Sequence, residues 1–529
     1  MNDIEVLIAL MGVAAILVRL ADIVAIPYPI VLVLGGLALG VLPVGPELAL
    51  DPEVVFLVFL PPLLQSAGYW TSPQELRAEA GPLTGLVLGL SLGTMAAVAV
   101  VAQAIIPGLG WGPALVLGAI VAPTDPVAAI ATFGRVGASE RISTLVEGEA
   151  LTKDATALVA YRVALAAVVT GSFEVVEAGV DLVVGVIGGV AIGLVIAWGA
   201  SYALRRLDDP PLSILLSVLT GYVAFAVCEG VGASGVLAAV SAGLYLGWRS
   251  HEVFDADVRL NAVAFWQVLT FALNAILFIL LGLQFPGIVD SVSEQFSTAE
   301  LIGYGALVSG VVVAVRMAWQ FLPELLEEVF PPAGAITTGT DWRERVVIGW
   351  SGMRGAVSLA AALAIPLELD SGAEFATRDL IIYLTVAVII VTLVFQGLTL
   401  PLLLRRLGLA GDRAWAPDEA IARLAAAQAA LDRLDEIEQS GDAVPETAIE
   451  RLRELYRARF ARCVASLQGD DRAKLAAENP LSGYRTVRRE LIEREREVLL
   501  HLRDEGRAKI DVLRRIERDL DLDEARLRS

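Results

Sequence analysis

The sequence predicts an all-α, polytopic membrane protein of about thirteen transmembrane helices, followed by a cytoplasmic helical domain. Three observations carry this. The 529 residues are 56% hydrophobic with a mean hydropathy of +0.67, an apolar excess that belongs in lipid. Apolar runs of spanning length recur as far as residue 404 and then cease. The charges between those runs alternate in sign.

A span needs about 20 apolar residues. The runs have cores at 4–24, 28–45, 53–69, 82–106, 111–133, 142–170, 180–204, 210–228, 233–247, 260–285, 300–321, 345–367 and 378–404. Arginine follows the odd-numbered runs: Arg19, Arg77, Arg135 with Arg141, Arg205 with Arg206, Arg249 with Arg259, Arg343 with Arg345, and Arg405 with Arg406. Acidic residues follow the even-numbered ones: Glu47, Asp51, Glu174, Glu177, Glu229, Asp290, Glu294, Glu368 and Asp370. The positive-inside rule places the N-terminus outside the cell membrane and the C-terminus in the cytoplasm. With Asp3 and Glu5 and no basic leader, the first run reads as a span rather than a cleaved signal. Aromatic residues make up only 7%; the apolar mass of Ala, Val, Leu, Ile and Gly suits closely packed helices.

An odd number of spans suits two inverted six-helix repeats with one helix between them, so that span five corresponds to span twelve. Both are interrupted. Pro123-Thr124-Asp125-Pro126 breaks span five, and Gly349-Trp350-Ser351-Gly352-Met353-Arg354-Gly355 breaks span twelve. Paired interruptions in matching halves point to a transport site.

Composition changes near Gly408, dividing a membrane domain, 1–407, from a tail, 408–529. In the tail, Ile421, Leu424, Leu431, Leu434 and Ile437 fall at helical spacing, as do Ile449, Leu452, Leu455 and Tyr456, and then Tyr484, Val487, Leu491, Val498, Leu502, Leu513 and Ile516. Segments 442–445 and 469–480 punctuate these stripes. The tail reads as a packing or dimer element, with regulation as the sharper alternative. The formal charge of −20 argues against nucleic acid as a partner. Cys228 and Cys463 form no disulfide framework, and His251 and His501 read as loop and helix-surface residues.

The chemistry lies in charges that a bilayer makes costly, roughly 2.5–3.5 kcal/mol each on insertion scales. Pro123 and Pro126 disrupt the helix around Thr124 and Asp125. Free carbonyls beside a carboxylate make a hard-oxygen cation site. The structural alternative makes Asp125 the N-cap of 127–133. Asp154 sits in the next apolar run. Burial favours its neutral form, so a proton and a metal cation compete for one group, which is itself an exchange mechanism. Its alternative is a buried ion pair. Glu149 and Arg354 are too costly unpaired, and a Glu149–Arg354 salt bridge joining spans six and twelve is expected.

These residues resemble a known family. Ala122-Pro123-Thr124-Asp125-Pro126, Leu145-Val146-Glu147-Gly148-Glu149 leading to Asp154, and Gly352-Met353-Arg354-Gly355-Ala356-Val357-Ser358 are similar to the monovalent cation/proton antiporter-1 family, the sodium/proton exchangers. Leu60-Pro61-Pro62-Leu63-Leu64 and Leu277-Phe278-Ile279-Leu280-Leu281-Gly282-Leu283 add to the likeness. The resemblance implies a homodimeric transporter rather than an enzyme, without a cofactor, whose spans five and twelve cross at the ion site. It implies Asp154 as main cation and proton ligand, Asp125 as supporting carboxylate, Thr124 as an oxygen donor, and Glu149 with Arg354 as a structural pair. The family usually has asparagine before the second aspartate, where this chain has Lys153, and often serine at Ala150. The family asparagine often bonds an acid on span three, where Gln65 and Ser66 stand here. Lys153 is the only lysine before residue 474. It tunes charge by pairing with Asp125 or Asp154, or snorkels to water, or occupies the cation position. The expected activity is exchange of sodium or lithium for protons by alternating access. Potassium/proton exchange, and a membrane sensor or scaffold disabled by Lys153, are the alternatives.

Overall fold

The structure, a computed structural model, describes residues 3–24, 26–41, 52–71, 82–138, 140–170, 175–207, 209–329, 341–410, 417–440, 445–468 and 487–499, with a few single positions beyond. The backbone of α-helices 140–170 and 175–204 is described throughout, but some of their side chains are not, Asp154 among them. Arg77, Glu47, Asp51, Glu174, Tyr484, Leu502, Leu513 and segment 469–480 lie outside the described residues. The chain divides into two compact units, Met1–Asp412 and Arg413–Ser529.

The first unit is helical, with isolated bridges Ala138–Ala410 and Glu368–Glu374 and no strand among the described residues. Its helices are α1 (Asp3–Val24), α2 (Tyr28–Val41), α3 (Pro52–Trp70), α4 (Pro82–Ile105), α5 (Trp111–Val121), α6 (Val127–Val136), α7 (Glu140–Thr170), α8 (Val175–Leu204) and α9 (Pro210–Gly230). There follow α10 (Gly235–Trp248), α11 (Ala256–Ser293), α12 (Thr298–Val329), α13 (Trp342–Trp350), α14 (Ala356–Leu363), α15 (Arg378–Val391), a π-helical turn (Thr392–Gln396) and α16 (Gly397–Arg406). Among the described residues, five helical stretches are long and apolar enough to cross a membrane: 184–204, 210–230, 256–293, 298–322 and 378–406.

Local chemistry sets the boundaries. Pro210 and Pro211 open α9, where a missing N–H costs nothing. The Ser234 hydroxyl accepts the Leu237 N–H at 3.3 Å and opens α10. Ser297 and Glu300 form a reciprocal cap at the start of α12, with the Ser297 N–H on the Glu300 carboxylate at 2.9 Å. Gly137, at φ 72°, closes α6 by donating to Phe133 O at 2.9 Å.

Small residues bring backbones together. A Cβ at Gly36 would lie 2.2 Å from Ile279 O, and one at Gly282 would lie 2.2 Å from Val33 O, so α2 and α11 cross in direct backbone contact. The same holds for α3 and α10: a Cβ at Gly68 would lie 2.3 Å from Val240 O, and one at Gly243 would lie 2.1 Å from Gln65 O. Val184, Ile187, Val195 and Trp198 expose one apolar face of α8, at 62 to 64%, as a lipid-facing helix does.

The second unit contains α17 (Pro417–Ser440) packed on α18 (Glu446–Gln468), and a helix at 487–499. Leu434, Ile449 and Cys463 are buried. Ile421 and Leu452 of the expected stripes are exposed instead. Arg453 of α18 bridges Asp435 and Glu438 of α17 at 2.8 and 2.5 Å.

Candidate functional site

Two broken helices meet. Residues 122–126 separate α5 from α6, and 351–355 separate α13 from α14. The Asp125 N–H donates to Met353 O at 2.7 Å, joining one break to the other. Glycine is required there by space: a Cβ at Gly355 would lie 1.7 Å from Asp125 Oδ2. Asp125 is 9% exposed and Thr124 5%.

Each broken helix leaves unpaired backbone groups, and the structure accounts for them by charge. Asp125 Oδ1 accepts the Val127 N–H at 2.9 Å, and Oδ2 accepts the Ala356 N–H at 3.3 Å. One carboxylate thus serves the positive ends of both α6 and α14. Arginines serve the negative ends. Arg354 Nε donates to Val121 O, the end of α5, at 3.0 Å, and Arg354 also donates to Gly352 O. Arg316 Nε and Nη2 donate to Gly349 O and Ile348 O, at the end of α13, at 3.1 and 3.0 Å. Arg378 reaches Ile365 O at 2.9 Å and Leu363 O at 3.4 Å past α14, while the Tyr161 hydroxyl donates to Ala361 O at 3.0 Å.

The expected Glu149–Arg354 bridge gives way to a different arrangement. Glu149 Oε1 lies 2.9 Å from Arg316 Nη1 and 2.6 Å from Lys153 Nζ, and Oε2 accepts from Arg316 Nη2 at 3.3 Å. The reason is geometric. Lys153 stands one helical turn beyond Glu149 on α7 and so shares its face. Arg316 enters from α12 over Gly352, where a Cβ would lie 2.1 Å from its Cδ. Arg354 is drawn to the carbonyls of the break instead. Lys153 is 1% exposed, against snorkelling, and among the described residues its ion-pair partner is Glu149, not Asp125, the first of the two expected aspartates. The side chain of Asp154 lies outside the described residues; its backbone continues α7 one residue past Lys153.

Residues 6–406 match the family described as sodium/hydrogen exchanger, transmembrane. The chain belongs to that family. An uncharacterized Na(+)/H(+) exchanger of Mycobacterium bovis is 34% identical over 99% of this chain and 96% of its own length. A protein of Bacillus pumilus named as a sodium, potassium, lithium and rubidium/H(+) antiporter is 33% identical over 75% of this chain and 60% of its own. The solved sodium proton antiporter MjNhaP1 of Methanocaldococcus jannaschii shares the fold, with a TM-score of 0.60 at 20% identity over 77% of this chain and 99% of that one. This exchanger is therefore a multi-pass membrane protein of a transporter family.

Two groups beside the site, Arg316 and Thr392, escaped the reading of the sequence. Arg316 interrupts the apolar run 300–321, and the cost of a charge in lipid was signal enough to single it out. Thr392 accepts the Arg354 N–H at 3.1 Å, and nothing in its spacing marks it. The Gln65 amide, singled out in the sequence, donates to Ser217 O at 2.6 Å and so ties α3 to α9.

Proposed function

We propose that this exchanger moves a monovalent cation, sodium or lithium, against protons across the cell membrane by alternating access. The observation that carries this is the meeting of the two helix breaks on Asp125. Among the described residues its carboxylate is held by two neutral N–H donors, which leaves each oxygen a second lone pair. A proton or a desolvated cation can take those lone pairs without displacing a competing charge. Asp154, on the neighbouring α7, serves as the principal cation and proton ligand, Asp125 as the supporting one, and Thr124 as an oxygen donor. Lys153 tunes the charge beside them.

Two inverted repeats about a central helix, thirteen spans in all, support such a cycle. Their exchange turns span two into span nine and span ten into span three. The glycine-lined crossing of α2 with α11 would then become that of α10 with α3, and both crossings exist. The N-terminus lies outside, the tail in the cytoplasm, and the exchanger works as a homodimer. Cysteines introduced at 290 and 206 test the orientation, with position 290 expected to label from outside and 206 only after permeabilisation. Both native cysteines are buried, which keeps the background low. Cross-linking in native membranes, expected to trap a species of twice the monomer mass, tests the dimer.

Potassium stands as the second reading, because the name of the Bacillus pumilus relative includes it. Flux in proteoliposomes with sodium, lithium or potassium, with and without a clamped potential, decides between them. A protein that carries none of the three is the sensor or scaffold that Lys153 would disable.

A further inference from the structure

The last span carries a polar stripe that the proposed cycle leaves unused. Between α15 and α16 the chain makes the π-helical turn Thr392–Gln396, a geometry that recurs at functional sites. Thr385, Thr392 and Gln396 are 0% exposed, and with Thr399 they fall on one helical face. That face touches the broken span twelve at three points. Thr392 accepts the Arg354 N–H at 3.1 Å, and Thr399 accepts the Trp350 Nε1–H at 2.9 Å. A Cβ at Gly397 would lie 3.4 Å from the sulfur of Met353, the residue whose carbonyl holds Asp125.

Gln396 sits between these contacts. Among the described residues, neither its amide oxygen nor its amide nitrogen has a hydrogen-bond partner. The hydroxyls of Ser358 on α14 and Thr385 on α15 are buried and unpartnered as well. Each such group is less stable than a paired one. Leu393, Leu398 and Leu400 around it show that leucine suits this stretch. A buried amide without a protein partner is placed to take an ion or a water.

We propose that Gln396 is a specificity-determining residue of the exchanger: its amide oxygen is a ligand for the monovalent cation, or for the water the cation still carries, as the ion passes the break at 351–355. A neutral amide suits this task, since it coordinates through a dipole and leaves the charge exchange to the carboxylates. The inference rests on the exchange reading above.

The test measures KM and maximal rate for sodium, lithium and potassium in proteoliposomes, and melting temperature in detergent, for wild type and Gln396→Leu. The leucine variant is expected to melt no lower than wild type. Its KM for the preferred cation should rise about fivefold, roughly 1 kcal/mol, with a changed ratio of KM among the three cations. Unchanged KM values and ratios in a folded variant overturn the assignment and leave Gln396 a buried spectator. If the leucine variant fails to fold, Gln396→Glu replaces it: KM should fall, and an unchanged KM overturns the assignment equally. A wild type that exchanges no cation overturns the exchange reading and this inference together, whereas active wild type and indifferent variants overturn this inference alone.

Discussion

Asp125 and Glu149 are two acidic side chains in one apolar unit, and they are held in opposite ways. Asp125 meets two backbone N–H groups, at 2.9 and 3.3 Å. Glu149 meets two basic side chains, Lys153 at 2.6 Å and Arg316 at 2.9 Å, only 2% and 1% exposed. Helix-end amides stabilise an anion with partial charges that stay when the anion is neutralised. A guanidinium cannot be left behind in that way: neutralising Glu149 strands the buried positive charge of Arg316 beside Lys153. The first environment therefore permits a carboxylate to exchange partners, and the second forbids it. Within one membrane unit, the nature of the counter-charge separates a carboxylate free to exchange partners, as the proposed cycle requires of Asp125, from one that braces.

The largest effect should fall on the exchanging side. Asp154→Asn keeps the shape and removes the titratable charge, so exchange should fall by about a hundredfold or more while the protein still inserts and melts normally, in keeping with a shared proton and cation ligand. Asp125→Asn should impair exchange as well. It should cost only about 0.3–2 kcal/mol of stability, the scale of a helix-terminal charge. Sodium-driven proton flux at the wild-type rate in Asp154→Asn would sink the mechanism.

On the bracing side the order reverses. Glu149→Gln leaves Lys153 and Arg316 facing each other without an anion, and breaking such a buried pair costs roughly 3–5 kcal/mol. The expected result is a sharply lower melting temperature in detergent. Arg316→Ala should do nearly as much, because it also uncovers the carbonyls of Ile348 and Gly349. Wild-type melting in both variants would mean that the triad does not brace the unit.

How much of this was visible in the sequence differs between the two carboxylates for a physical reason. Pro123, Pro126 and the glycines at 352 and 355 announce their breaks, because helix interruption is a local property of the chain. That both breaks converge on one carboxylate follows from tertiary packing, and only the family resemblance anticipated the crossing. The partner of Glu149 was misassigned to Arg354 because cost demands a cation without naming it. Two cheap signals were available: Lys153 at one turn from Glu149 on the same helix, and Arg316 alone in an apolar run. The alternation of arginine and acid between runs is what the expected span count and orientation rest on, and the composition change near Gly408 lies close to the end of the first compact unit at Asp412.

The smallest effect, and the one that sharpens the comparison most, concerns Lys153. Removing it is unlike removing Glu149. Lys153→Asn leaves Glu149 with its two bonds to Arg316, so a paired anion remains and a costly buried ammonium is gone. Stability should therefore change by no more than about 1 kcal/mol, well below the loss in Glu149→Gln. Function should respond instead. Lys153 adjoins Asp154, the proposed cation ligand, in sequence, and when protonated it adds a positive charge there. Like charges about 8–16 Å apart at an effective dielectric of about 20 repel by roughly 1–2 kcal/mol. Lys153→Asn should accordingly lower the KM for the transported cation by about tenfold and alter the dependence of exchange on membrane potential. A silent wild type that gains exchange in Lys153→Asn would instead make the lysine a plug in the cation position. Equal KM, rate and potential dependence in both proteins would mean that Glu149 already neutralises Lys153 completely, and that the bracing triad is electrostatically closed to the site beside it.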